Sequence, residues 1–166
     1  MILRRAWKRF AADERGDSLV EFGISISVLL MSVFGVIDCA RAIYTYHFVS
    51  YAAQEGARYA MVRGEDWSSS CASATSYGCI ASASNVSTYV QSLTPLGITA
   101  SKVTVTTTWP QTTATGSSTG CNTAATQNAK GCLVKVNVSY SFKFMLPYLP
   151  TGSLAMASTS DEVIAY

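Results

Sequence analysis

Histidine occurs once in this chain, at His47, and no two cysteines stand in a CxxC spacing, so a zinc site has almost nothing to draw on. Charge is scarce as well: Asp, Glu, Lys and Arg make up 13% of the 166 residues. No phosphate loop and no nucleophile motif occurs. The one adjacent acidic pair, Asp161 and Glu162, falls in a predicted strand, where neighbouring side chains diverge to opposite faces. Without an acid–base pair or a ligand cluster, no catalysis, no metal and no cofactor is expected. His47 reads as a face residue of a helix. Basic residues are no more help to a nucleic-acid reading. Five of the twelve (Arg4, Arg5, Lys8, Arg9, Arg15) sit in residues 1–16 with Asp13 and Glu14, leaving seven basic against eight acidic groups downstream. Nothing there is built to neutralise phosphates, so nucleic acid is not an expected partner.

What the chain does have is one long apolar run. Sixteen residues between Glu21 and Asp38 carry no charge, and Ser18 to Ile37 gives twenty, the ~20 that a helix needs to cross the hydrocarbon core. A cleaved secretory signal would be shorter and would end in small residues; here Asp38-Cys39-Ala40-Arg41 follows and the helical pattern continues. The positive-inside rule keeps residues 1–16 in the cytoplasm and sends everything after about residue 40 outside. Glu21 stands out, because a charge at the bilayer centre costs roughly 2.5–3.5 kcal/mol on insertion scales. From its position alone two readings are equal: a residue reaching back to the headgroups, or a charge kept for assembly.

Beyond the span, Ile37, Ala40, Tyr44, Phe48, Tyr51 or Ala52, Tyr59 and Val62 recur at helical spacing. Asp38/Arg41 and Glu55/Arg58 are i,i+3 pairs. A single helix is expected over 17–63, roughly 70 Å long at 1.5 Å per residue, with its second half offering an aromatic stripe to a head domain and Gly56 as a weak point. Residues 65–84 read as a polar loop, 85–93 as two helical turns ended by Pro95-Leu96-Gly97, and 111–131 as a long exposed loop. Three stretches read as strands: 102–109, by alternation and β-branched content, 133–146, with Val134, Val136, Val138, Tyr140, Phe142 and Phe144 on one face, and 153–165. The expected fold class is α+β, a long N-terminal helix packed on a small antiparallel sheet. The expected division is a basic leader (1–16), a long helix (17–63) whose membrane segment is about 18–37, and a β-rich head (64–166).

Of the five cysteines, Cys71 and Cys79 bracket one loop and Cys121 and Cys132 another, while Cys39 lies at the end of the span. Four cysteines allow three connectivities. The local pairing Cys71–Cys79 and Cys121–Cys132 is preferred because each bridge closes a flexible loop, worth on the order of 3 kcal/mol, and disulfides suit an extracytoplasmic compartment. Asn85-Val86-Ser87 and Asn137-Val138-Ser139 match a glycosylation sequon, a pattern too short to weigh.

Arg15-Gly16 followed by Asp17-Ser18-Leu19-Val20-Glu21-Phe22 and an apolar run resembles the leader of type IV prepilins. With Val36-Ile37-Asp38-Cys39-Ala40-Arg41 and Ala52-Ala53-Gln54-Glu55-Gly56-Ala57-Arg58-Tyr59-Ala60, residues 15–64 are similar to TadE-like proteins, minor pilins or pseudopilins of the Flp (tight adherence) pilus system. The resemblance implies cutting after Gly16 by a prepilin peptidase, leaving Asp17 first and Glu21 fifth in the mature chain. The family pattern usually has a small or neutral residue where Asp17 stands. It implies an assembly role for Glu21 and Phe22, and a family motif on the helix at Asp38, Arg41, Glu55, Gly56, Arg58 and Tyr59. The partners implied are prepilin peptidase, other pilin or pseudopilin subunits, an inner-membrane assembly platform and membrane lipid. The place implied is the bacterial cytoplasmic membrane, spanned once with the head outside, and the extracellular pilus after assembly. The alternative is a permanently anchored extracytoplasmic binding or adhesion module that is neither processed nor polymerised.

Overall fold

The computed structural model describes residues 16–69, 80–123, 126–145 and 153–165. The chain divides into two compact units, residues 1–41 and 42–166. Helix α1, Asp17–Val62, belongs to both. A short 3₁₀ helix (Glu65–Ser69) follows it, then helix α2 (Ala83–Ser92), a 3₁₀ turn (Ala100–Lys102) and three strands: β1 (Val103–Thr108), β2 (Leu133–Lys143) and β3 (Ser153–Val163). This is the α+β arrangement read from the sequence, with one long apolar helix and a three-stranded antiparallel sheet in the order β1-β2-β3.

In the first unit α1 starts just after Gly16: the Val20 N–H donates to the Gly16 carbonyl at 3.2 Å, closing the first helical turn. Asp17 in that turn places a carboxylate at the positive end of the helix dipole. The apolar run that follows is exposed along its length, Leu19 at 74% and Phe22 at 67%. Two of its serines bond back into the helix, Ser27 Oγ to the Gly23 carbonyl (2.7 Å) and Ser32 Oγ to the Val28 carbonyl (2.9 Å), so neither of these hydroxyls needs water.

The second unit has one core. Strand β2 is central, and its alternation buries Val134, Val136, Val138 and Phe142 on one face. Val138 pairs with Val105 on β1 and Ser158 on β3. The opposite face is polar, with Lys135–Asp161 (3.3 Å) and Asn137 Nδ2 donating to Thr159 Oγ1 (2.7 Å) across the ladder. Against the apolar face pack α2, through Val86 and Val90, and the outer part of α1. Helix α2 is capped by Ser82, whose hydroxyl accepts from the Asn85 N–H at 3.2 Å. It ends before the turn Pro95–Ile98, where Gly97 takes φ +92°.

Three expectations need correction. The expected aromatic stripe holds only in part: Phe48, Ala52 and Tyr59 are buried, but Tyr44 and Tyr51 are half exposed and Ile37 and Ala40 are exposed, and Thr45, Val49, Ala53, Gly56, Ala57 and Ala60 are buried as well. The small side chains Ala52, Ala53, Gly56, Ala57 and Ala60 let the helix backbone approach the sheet and α2 between the rings of Phe48 and Tyr59. Gly56 is accordingly a packing position rather than a weak point. The segment 65–84 is not loop throughout, since it opens with 3₁₀ turns and already contains the start of α2. Among its described residues the segment 111–131 is a largely exposed loop, as expected, tied down at a few points. Thr113 bridges to Cys132, Glu65 N–H donates to the Asn128 carbonyl (2.9 Å), and Asn128 Nδ2 donates to the Ala81 carbonyl (3.2 Å). The Cys121–Cys132 disulfide is present, with both residues buried in the core. Cys71 and Cys79, proposed as the second pair, lie outside the described residues. Cys39 is free and exposed.

Candidate functional site

The residues singled out from the sequence fall into two groups along α1. The first is the start of the helix. Gly16 and Asp17 stand at its first turn, both exposed, and Glu21 lies one turn on, four residues from Asp17 and so on the same side. Phe22 and Leu19 flank it with open apolar surface. Among the described residues no basic side chain comes within ion-pair distance of Glu21. A single carboxylate thus sits at the edge of a stretch whose mean hydropathy reaches 2.2 and none of which is buried within the chain. Such a surface is long and apolar enough to cross a membrane.

The second group lies on the outer half of the helix and has structural work. Arg41 Nη1 pairs with Asp38 Oδ1 at 2.8 Å, and Asp38 is only 3% exposed, so the guanidinium offsets a carboxylate withdrawn from water. Arg58 Nη1 pairs with Glu55 Oε1 at 3.2 Å on the more exposed side, a contact worth little by itself. Between them Gly56 meets two other elements: a Cβ built there would lie 2.9 Å from Val90 Cγ2 and 3.1 Å from Val136 Cγ1. Tyr59 stacks on Tyr89 of α2, with ring centroids 4.5 Å apart and planes 20° from parallel. The Arg63 guanidinium lies over the Tyr59 ring at 4.0 Å and 5.8 Å from the Trp67 ring centre. Gly56 and Tyr59 therefore lock α1 to α2 and β2, while the Glu55–Arg58 pair stays on α1 itself.

The partners of that lock were not legible in advance. Val90, Val136, Tyr89 and Arg63 lie far from Gly56 and Tyr59 in sequence or outside the motif, and no local spacing marks them. The one available signal was the run of small residues Ala52, Ala53, Gly56, Ala57 and Ala60, which has helical periodicity in size rather than in hydropathy. His47 is exposed and lies edge-on to Tyr46, as a helix-face residue would.

A single exposed apolar helix that runs on into an α+β head defines a protein suited to membrane anchoring. Residues 16–58 match the family model of TadE-like proteins, so that segment of the chain is similar to that family. The match begins at Gly16 and takes in Glu21, Asp38, Arg41, Glu55, Gly56 and Arg58. No curated protein and no solved structure matches the chain.

Proposed function

We propose that the protein is a structural subunit of a Tad pilus system, a minor pilin or pseudopilin that is inserted in the cytoplasmic membrane and processed by a prepilin peptidase between Gly16 and Asp17. The observation that carries this reading is the coincidence of three boundaries: the TadE-like match, helix α1 and the leader junction all meet at Gly16 and Asp17. Cleavage there removes the basic leader, which sets orientation by the positive-inside rule, and exposes a new ammonium group on Asp17. Glu21 then lies one helical turn deeper. When such helices bundle out of water, the ammonium group of one subunit and the Glu21 carboxylate of a neighbour compensate each other, so that correct stagger is favoured and wrong stagger leaves a charge unpaired. The head stays on the extracytoplasmic side, bearing on adhesion and surface attachment through the assembled pilus. The protein performs no catalysis in this account; its partners are the peptidase, other pilin subunits and the assembly platform.

Glu21→Ala tests it. The variant should insert and be processed normally yet fail to enter the pilus or its initiating complex, and Glu21→Asp should retain part of the function. Normal piliation with Glu21→Ala would remove the charge-pairing role.

A further inference from the structure

One end of the head carries a cluster of exposed apolar side chains, while Tyr51, Ile80, Leu96 and Val163 are exposed singly elsewhere. Strands β2 and β3 pair from Leu133↔Val163 to Lys143↔Ser153. Just past Lys143, Phe144 is 37% and Met145 74% exposed, and Leu154, beside Ser153, is 46% exposed. Phe144 packs edge-on to Phe142 with ring centres 5.3 Å apart, and Phe142 faces Leu154 across the ladder. On the helix side, Ala42, Ile43 and Tyr46 join Leu154–Ala157 in lining an open apolar groove of about 440 Å³. Ile43, Tyr44 and Tyr46 are each more than half exposed. Outer α1 runs alongside β3 in the same direction: Ala42–Tyr46 lie by Leu154–Ala157, and the Met61 carbonyl accepts from the Ala165 N–H at 3.0 Å. The apolar end is therefore the end at which α1 enters the head. The opposite end carries the disulfide and the Thr-rich segment around Thr113.

We infer that this end of the head rests in the interfacial layer of the bilayer that α1 spans, with lipid as its occupant. The inference depends on α1 being the membrane anchor. Continuity with that anchor is the first argument. Ala42 comes five residues after Ile37, the last of the apolar run, and five residues reach at most roughly 18 Å even fully extended. The helix side of the patch, at Ala42 and Ile43, is thus tethered close to the end of the apolar run. Its chemistry is the second argument. Tyr44 and Tyr46 have the apolar ring and polar tip that favour the headgroup level, and Ile43, Met145 and Leu154 supply apolar area. Between Phe142 and Ser160 the only charge is Lys143, exposed, whose stem can lie along the patch with its ammonium group at lipid phosphates. The acidic residues of β3, Asp161 and Glu162, lie near its far end, away from the anionic surface.

The test uses the full chain with Cys39→Ser, reconstituted in phosphatidylcholine vesicles with and without phosphatidylglycerol. An environment-sensitive fluorophore is placed on Met145→Cys, Thr115→Cys or Val28→Cys, and quenching by brominated lipid is compared with quenching by aqueous iodide. The expected result is lipid quenching at Met145 that approaches that at Val28, iodide quenching there several-fold below that at Thr115, and a weaker lipid effect when Lys143→Glu is added in phosphatidylglycerol vesicles. Iodide quenching at Met145 equal to that at Thr115 overturns the inference while leaving the anchor intact, provided Val28 is lipid-quenched. A Met145 label shielded from both quenchers indicates a protein neighbour, a second copy included, and also overturns it. Absence of lipid quenching at Val28 removes the anchor and the inference together.

Discussion

Gly56 of α1 and Val90 of α2 approach so closely that no methyl group fits between them, the Cβ position at Gly56 falling 2.9 Å from Val90 Cγ2. The stiff, β-branched Val90 and Val136 cannot swing their methyls away as a longer chain would. Two effects then oppose each other in Gly56→Ala. Helix propensity favours alanine by about 1 kcal/mol, while overpacking costs ~1–3 kcal/mol. Contact at 2.9 Å and 3.1 Å on two sides puts the overpacking ahead, so the full chain in detergent should lose stability by about 1 kcal/mol. Adding Val90→Ala removes the closer of the two contacts. The double mutant should therefore be more stable than the sum of the two single changes predicts, a coupling read from denaturation midpoints in a double-mutant cycle. Strict additivity would show that Gly56 is not packed as described.

Tyr59 makes a second, independent prediction. Its ring lies between Tyr89 and the Arg63 guanidinium. Tyr59→Phe keeps the stacked ring and should cost less than Tyr59→Leu, for which loss of the aromatic pair and of the cation–π contact together amount to ~1–2 kcal/mol. Thermal unfolding of the two variants checks the order. Equal losses would assign the contribution to buried area alone.

The disulfide gives a chemical readout. Cys121 and Cys132 are bonded eleven residues apart and both lie in the core. Peptide mapping without reduction should recover 121 linked to 132. Replacing both with serine should lower stability by roughly 3 kcal/mol on the chain-entropy account, with a further loss from burying two hydroxyls where sulfur sat. A map that links Cys121 or Cys132 to another cysteine contradicts this bond.

These contacts also show where the sequence was readable and where it was not. The alternation Val134, Val136, Val138 and Phe142 reports a half-buried strand, because a pleated backbone turns every second side chain to the same face. The extent of α1 and the loop-closing Cys121–Cys132 pair were readable for similarly local reasons. The face on which α1 meets the sheet was readable only in part. Phe48 and Tyr59 of the expected stripe are buried, but Tyr44, Tyr51 and Ile37 are not, and most of the remaining buried positions are alanine and glycine, which carry little hydropathy and much steric meaning. Glu65–Ser69 and the anchoring of Asn128 depend on partners distant in sequence, which no window reveals. At the start of the helix the position was reversed: Gly16, Asp17 and Glu21 were marked by a motif, and the structure adds that the helix itself begins there.

The central claim is that the working protein begins at Asp17. Intact-mass and N-terminal analysis of the protein extracted from membranes of cells with an active prepilin peptidase tests it directly. The account predicts a chain that lacks residues 1–16 and starts with Asp17, and accumulation of the full-length form when the peptidase is deleted or Gly16 is replaced. A full-length chain, still carrying Arg4 to Gly16 in peptidase-competent cells, would contradict it and leave a permanently anchored protein in its place.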